Sequence, residues 1–240
     1  MARANGPSRK SQDPTSRKGK AKYLHFFDLP FEARDQLEKL KSGIILGNTR
    51  QNPKSILFVS YNEGEGTSTI AVNFAESLAQ DKKYNILIVD ANTRNPCLHK
   101  MFDLNNTIGL SELLNKEIKI SGAVKETTTP NLSVIPSGKV TYHPSHVFDY
   151  EKIKSFLDTV KERYDFIVFD SCPVGKYYDS IVLASQVSGV ILVVQAERTS
   201  WYNIKRAKKI LEDKKIPILG TILNRRKYHI PGFIFERFFG

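Results

Sequence analysis

Ten residues in the first third of the chain, Ser60-Tyr61-Asn62-Glu63-Gly64-Glu65-Gly66-Thr67-Ser68-Thr69, have the types and spacing of a phosphate-binding loop. They follow an apolar run over 55–60 and open a helical pattern over 70–79. Strand, glycine-bearing turn and helix start let backbone N–H groups and the helix dipole converge on phosphate. Gly64 and Gly66 permit the tight turn, and Ser68 or Thr69 offers a hydroxyl to Mg²⁺. A loop of this kind carries a lysine immediately before its Ser/Thr pair, and here Thr67 stands in that place. The cradle is kept. The cation that grips the β- and γ-phosphates is gone.

Two further segments have the same layout, an apolar run ending in a carboxylate. One is Ile86-Leu87-Ile88-Val89-Asp90, continued by Asn92, Arg94 and Pro96; the other runs from Tyr164 through Asp170 to Pro173. Either alone has a bland reading, since carboxylates often cap strands and helices. Three such ends in one chain, in this order, point to a nucleotide-binding fold.

The elements that must hold these residues follow from hydrophobic patterning. Runs of strand length recur at 55–60, 85–90, 131–136, 165–170, 189–195 and 216–223. Helical patterns lie at 68–80, 146–162 and 200–213. Before them, residues 30–45 read as an amphipathic helix with Leu37, Leu40, Ile44 and Ile45 on one side. Continuous apolar strands alternating with helices predict one α/β domain, a mostly parallel sheet with helices on both faces. In such a sheet ligands bind beyond the carboxyl ends of the strands, where the three motifs fall.

Composition narrows the setting. The chain has 240 residues, enough for a single domain with a substantial core. Two cysteines, Cys97 and Cys172, make no disulfide framework, and without a signal-peptide pattern the expected home is a reducing cytoplasm. No apolar run approaches the roughly 20 residues of a membrane span. The net charge is +11, and residues 1–22 carry seven Lys/Arg against Asp13, which is +6 of that total. This segment is expected to be a disordered arm, either a solubilising tail or a contact for anionic lipid or an acidic partner. It lacks interleaved aromatics and a DNA-reading motif, so nucleic acid is not the expected partner. The end of the chain, 227–240, is an aromatic and basic tail with Phe233, Ile234, Phe235, Phe238 and Phe239, read either as core or as a docking surface for a membrane protein or lipid. His143 and His146 lack a partner set for a metal.

Taken together, the motifs resemble the bacterial tyrosine kinases (BY-kinases) of capsule and exopolysaccharide synthesis, within the MinD/ParA class of P-loop proteins. Gly64-Glu65-Gly66 with Ser68-Thr69 is similar to the family's Gly-Glu-Gly-Lys-Ser-Thr loop. Asp90-Ala91-Asn92-Thr93-Arg94-Asn95-Pro96 resembles its Walker A′ segment, Asp-Ala-Asp-x-Arg-x-Pro. Gly109 to Leu114 and Val134 to Gly138 resemble two more landmarks, Tyr164 to Pro173 resembles Walker B, and Gly220 to Asn224 resembles the late strand whose Asn lies near adenine. The resemblance spans residues 30 to 226, so 23–226 is expected to be the domain. It implies ATP and Mg²⁺ as ligands, weakly held, with Gly64, Glu65, Gly66, Thr67, Ser68, Thr69 and Asn224 on the nucleotide. Ser68, Asp90 and Asp170 would lie on the metal, and Asp90 and Asp170 are the catalytic residues if the protein turns over.

The departures from the family pattern are Thr67 for the Walker lysine, Asn62 for the second lysine of the MinD/ParA branch, and Asn92 for the second acid of Walker A′. The oligomerisation helix, Glu-x-x-Arg-x-x-Arg in the family, reads Asp35, Glu38 and Lys41, with the middle charge reversed. The family's C-terminal tyrosine cluster is missing, and only Tyr228 follows Asn224. The expectation is a catalytically dead or impaired relative that regulates polysaccharide assembly beside a membrane-spanning chain-length regulator. It would be peripheral at the inner face of the membrane, alone or oligomerised with itself or related kinases. The alternatives are an active autokinase or ATPase with a relocated lysine (Lys176, Lys54 or Lys139) and a MinD/ParA-type positioning protein.

Overall fold

The computed structural model describes residues 23–47, 54–139 and 148–226. The basic arm at 1–22, the His143 and His146 pair and the tail at 227–240 lie outside the described residues.

Among the described residues seven strands form one sheet: β1 (Lys54–Ser60), β2 (Ile86–Asp90), β3 (Lys125–Glu126), β4 (Leu132–Ile135), β5 (Phe166–Asp170), β6 (Gly189–Gln195) and β7 (Ile218–Asn224). Their order is β3-β4-β2-β5-β1-β6-β7, parallel throughout except for the antiparallel edge strand β3. The six strand-length runs of the sequence are the six parallel strands. They are apolar on both sides because both faces are covered: β2 and β5 are buried at every position.

Helices α1 (Phe31–Gly47), α2 (Thr67–Gln80) and α3 (Leu98–Met101) cover one face. There Leu37, Ile44, Phe74, Leu78 and Leu98 pack on Ile56, Phe58, Ile88, Val168 and Ile191. On the other face lie α4 (Leu110–Leu114), α5 (Ile120–Ala123), α6 (Tyr150–Val160), α7 (Asp179–Ala184) and α8 (Trp201–Asp213). Their Leu114, Phe156, Leu183 and Leu211 pack on the alternate strand positions, including Leu57, Val89, Phe169 and Leu192. The period-2 alternation of each strand thus divides the core into two layers.

Several shorter elements have no counterpart in the sequence reading. Helices α3, α4, α5 and α7 hold four to six residues each, too few to show a 3.6-residue period. A 3₁₀ turn at Phe26–Asp28 precedes α1 and is pinned to α2 by one buried carboxylate. Glu76 accepts the Phe26 backbone N–H at 2.7 Å and meets His25 Nδ1 at 2.6 Å. The hydrogen bond to Glu76 holds the His25 pKa above its ordinary value, against the opposing effect of burial. A cavity of about 340 Å³ opens beside this pin, lined by His25, Glu76, Met101 and Thr128 among others, and contains none of the phosphate-loop residues.

The predicted amphipathic helix is α1, with Leu37 and Ile44 buried and Leu40 and Ile45 packed against the same cluster. Its charges behave differently from the family pattern. Lys41 is buried and committed within the chain, bonded to Glu38 at 2.5 Å, Asp81 at 3.1 Å and the Ser77 carbonyl at 3.3 Å.

Candidate functional site

The three motif-bearing strands are neighbours in the sheet, in the order β2-β5-β1, so their carboxyl ends share one edge. Parallel register sets Asp90 directly beside Asp170, and Phe58, two residues before the loop, beside Asp170 on the other side. The chain then turns through 61–66 into α2. Gly66 is the helix N-cap and has φ 90, a left-handed conformation, and a Cβ there would collide with Asn224 Nδ2. Asn224 uses that amide to donate to the Glu65 carbonyl at 2.9 Å. In the structure the residue the sequence reading placed near adenine braces the loop, from the far strand β7.

Glu65 is the keystone of the loop. It is 2 % exposed, and its carboxylate accepts the Tyr61 N–H at 3.1 Å, Asn62 Nδ2 at 2.9 Å and Thr199 Oγ1 at 2.5 Å. The loop is thus preorganised by its own side chains together with Thr199 and Asn224. Asn62, at the second lysine position of the MinD/ParA branch, is spent on this internal bond. Asn92 likewise serves its own turn, accepting the Asn95 N–H at 3.2 Å. Thr67 is buried as the first residue of α2.

The carboxylate pair has the most distinctive electrostatics. Both side chains are fully buried. Asp90 accepts backbone N–H groups from Asn92 at 3.2 Å, Cys97 at 3.0 Å and Leu98 at 3.0 Å. Neither oxygen of Asp170 has a hydrogen-bond partner among the described residues. Burial pushes the Asp90 carboxyl up to about 7 against those three donors. Asp170 is also pushed well above the usual carboxylate range, by burial first and by the Asp90 charge second, with Ser68 acting the other way. Cys97 borders the pair, and burial followed by the Asp170 charge pushes its thiol up to about 12, so it is no nucleophile.

Orphaned acceptors next to Ser68 suit a hard cation. Oxygen donors and an unpaired carboxylate fit Mg²⁺, which takes one or two protein carboxylates and shares the rest of its shell with phosphates and water. Among the described residues no group of three or more His, Cys, Asp or Glu forms a metal cage. Ser68, Asp90 and Asp170 would hold the ion. When bound, it supplies charge neutralisation at the phosphates.

The structure also places the lysines considered as substitutes for the Walker residue. Lys54 begins β1, six residues before Ser60, so it lies about 20 Å away at the opposite end of the strand. Lys139 follows β4 and binds Glu112 through its backbone N–H at 2.9 Å. Lys176 does reach the loop, but its ammonium is exposed and paired with Glu63 at 2.9 Å. Tyr177 donates to the same Glu63 oxygen at 3.1 Å, and Arg94 stacks on the Tyr177 ring while bonding Asp179 through Nε at 3.1 Å and Nη2 at 2.9 Å. Loop, Walker A′ and Walker B segments are latched together. Sequence reasoning gave no site role to two arginines at the rim: Arg198, in a turn with no motif around it, and Arg225, directly after the Gly220–Asn224 segment. Cys172, beside Asp170, is a buried thiol facing Ser180 Oγ at 3.4 Å.

A parallel sheet with a glycine loop opening α2 and aspartates ending the two neighbouring strands defines the P-loop class of MinD-like domains. Comparison with known proteins agrees. Residues 53–216 match the AAA domain family model. The chain is 32% identical over 191 residues to the putative tyrosine-protein kinase CapB of Staphylococcus aureus, covering 80% of this chain and 83% of that protein. It superposes on the crystal structure of the chimerical protein CapA2B2 with TM-score 0.76 at 30% identity, covering 81% of this chain and 85% of the other. The septum site-determining protein MinD of Pyrococcus horikoshii OT3, solved with Mg-ADP, shares the fold at TM-score 0.62 and 24% identity, over 77% of this chain and 76% of that one. The chain belongs to the bacterial tyrosine-kinase family.

Proposed function

We propose that this chain is a regulatory member of that family which binds nucleotide weakly and has lost most or all phosphoryl transfer. It would act in capsule or exopolysaccharide assembly beside a membrane-spanning chain-length regulator. The observation that carries this reading is the absence of a free lysine at the loop among the described residues. Thr67 occupies the Walker position, and Lys176 is held by Glu63. Phosphoryl transfer depends almost wholly on positioning and electrostatics. A donor aimed at the reacting group is worth about 10²–10³ in rate. The loss of two lysines and one carboxylate leaves little to drive turnover, while backbone amides still favour phosphate.

The setting rests on the resemblance. No helix among the described residues is long and apolar enough to cross a membrane, so proximity to a bilayer would come through a partner or a surface segment. Lys41 is committed within the chain, which argues against its use as the family's oligomerisation contact.

One observation favours the autokinase alternative: Lys176 lies within reach of the loop. Incubating the full chain with ATP and Mg²⁺, followed by mass spectrometry, separates the two. The expected result is no phosphotyrosine and no ADP release above background. Phosphotyrosine that disappears in both Asp90→Ala and Lys176→Ala would establish the alternative and end this reading.

A further inference from the structure

Arg198, in the turn between β6 and α8, and Arg225, directly after β7, meet at the outer wall of the phosphate loop. Arg225 Nη1 donates to the Gly64 carbonyl at 3.3 Å and to Gln195 Oε1 at 3.3 Å. Arg198 Nη1 reaches the same Gln195 oxygen at 3.5 Å, and lies 3.7 Å from where a Cβ on Gly64 would stand. Two cations that follow different strands therefore converge on one neutral amide oxygen and on the loop itself.

We infer that Arg198 and Arg225 form a guanidinium clamp for the phosphate chain of a nucleoside triphosphate, supplying positive charge at a loop that carries Thr67 in place of lysine. The inference rests on the nucleotide-binding part of the function proposed above.

Charge accounting supports it. The other cations of the site are neutralised: Lys176 by Glu63 and Arg94 by Asp179. Arg198 and Arg225 form no ion pair among the described residues. Their bonds to neutral oxygens are long, whereas charge-assisted guanidinium–phosphate bonds close to about 2.7–2.9 Å and are often bidentate. Both side chains are exposed, so they exchange partners without disturbing the core. Two like charges sharing one acceptor repel each other, and an anion between them relieves that repulsion.

Backbone geometry points the same way. Arg225 has φ 57, and Glu197, immediately before Arg198, has φ 61. Left-handed conformations are uncommon for non-glycine residues and cost free energy. The Arg225 N–H bond to Asn224 Oδ1 at 2.9 Å holds the first of them, where the chain leaves β7 beside the loop. Arginine also suits a phosphate better than a relocated lysine would, since its planar fork meets two oxygens at once.

The test is calorimetric titration of the full chain with ATP·Mg²⁺, tripolyphosphate and adenosine. Four proteins are compared: the parent, Arg198→Ala with Arg225→Ala, Arg198→Lys with Arg225→Lys, and Lys208→Ala with Lys209→Ala. The last removes the same two charges from the exposed face of α8. The alanine pair is expected to weaken ATP·Mg²⁺ and tripolyphosphate at least tenfold and leave adenosine unchanged. The lysine pair should retain part of the affinity, and the α8 control should match the parent to within about twofold. Thermal melting confirms that each variant is folded. If the parent binds ATP·Mg²⁺ and the alanine pair binds it equally, the clamp is refuted while nucleotide binding stands. Loss of adenosine affinity with tripolyphosphate unchanged would assign the arginines to the base and also refute the clamp. A parent that binds neither ATP·Mg²⁺ nor tripolyphosphate would overturn clamp and nucleotide-binding reading together.

Discussion

Asp170→Asn isolates the buried carboxylate pair. In the native protein Asp90 accepts three backbone N–H groups, whereas Asp170 is held well above the usual carboxylate range by burial and by the Asp90 charge. Both pKa values are raised, which means that the native state holds protons the unfolded chain has already released. Between the ordinary carboxylate range and the raised native values, stability therefore falls as pH rises. The Asp90 shift comes mainly from burial and is shared by both proteins, so what the variant removes is the cost of ionising Asp170 beside it. A buried charged group left without full compensation costs on the order of 2 kcal/mol after local relaxation and water entry. An asparagine removes one of the two acids, and its amide donates toward the neighbouring Asp90. Urea unfolding in chelator at pH 5 and pH 8 reads the effect. The variant should gain on the order of 2 kcal/mol over the parent at pH 8 and little at pH 5. His25 also titrates in this window and its contribution is also lost with rising pH, but it is common to both proteins and cancels in the difference. Millimolar Mg²⁺ at pH 8 should then stabilise the parent and not the variant. Equal pH slopes in the two proteins, or a variant less stable than the parent at pH 8, would refute the reasoning.

Restoring charge is the complementary change: Thr67→Lys with Asn92→Asp should tighten ATP·Mg²⁺ by about 1.5–3 kcal/mol, roughly one to two decades in titration calorimetry. Unchanged affinity in the folded double mutant would mean that the loop no longer fits phosphate. Glu76→Ala leaves the buried Phe26 N–H unpaired and strips His25 of its partner, so chemical denaturation should show a loss of about 3 kcal/mol. That loss should be larger at pH 5.5 than at pH 8.5, because the raised His25 pKa marks a contribution present below its ordinary value and lost as pH climbs through the native one. Deleting residues 1–22 should weaken envelope association modestly and in a salt-dependent way, with Phe235→Ser and Phe238→Ser disrupting it more. Fractionation like the parent's in both folded variants would place recruitment in the core domain.

The parallel strands were legible because burial on both faces leaves an unbroken apolar run, as at Ile86–Asp90 and Phe166–Asp170. The loop and two aspartates were legible because their spacing is local. What the sequence hid is what depends on contacts across the sheet. Nothing near Lys41 announces Asp81, forty residues away, and so an exposed helix charge becomes a buried one. Asn224 was marked for a ligand, yet its partner in the structure is Glu65, 159 residues earlier. Arg198 and Arg225 gain meaning only when β6 and β7 bring their ends beside Gly64. The short helices escaped because a periodic signal needs more turns than they possess.

The strand order has a consequence for how the chain is made. Among the described residues β1 is the first strand synthesised, yet its sheet neighbours are β5 and β6, which end 110 and 135 residues after Ser60. At about 5–20 residues per second, β6 is completed roughly 7–27 s after β1. Until β5 is complete, roughly 6–22 s after β1, Ile56, Leu57, Phe58 and Val59, all without exposure in the finished fold, have no strand on either side. The nascent chain thus carries an unpaired, largely apolar strand until β5 emerges, the kind of exposed edge that templates aggregation. The glycine loop inherits the same delay: Glu65 cannot be locked until Thr199 and Asn224 have been made, so the braced loop forms only after β7 is complete.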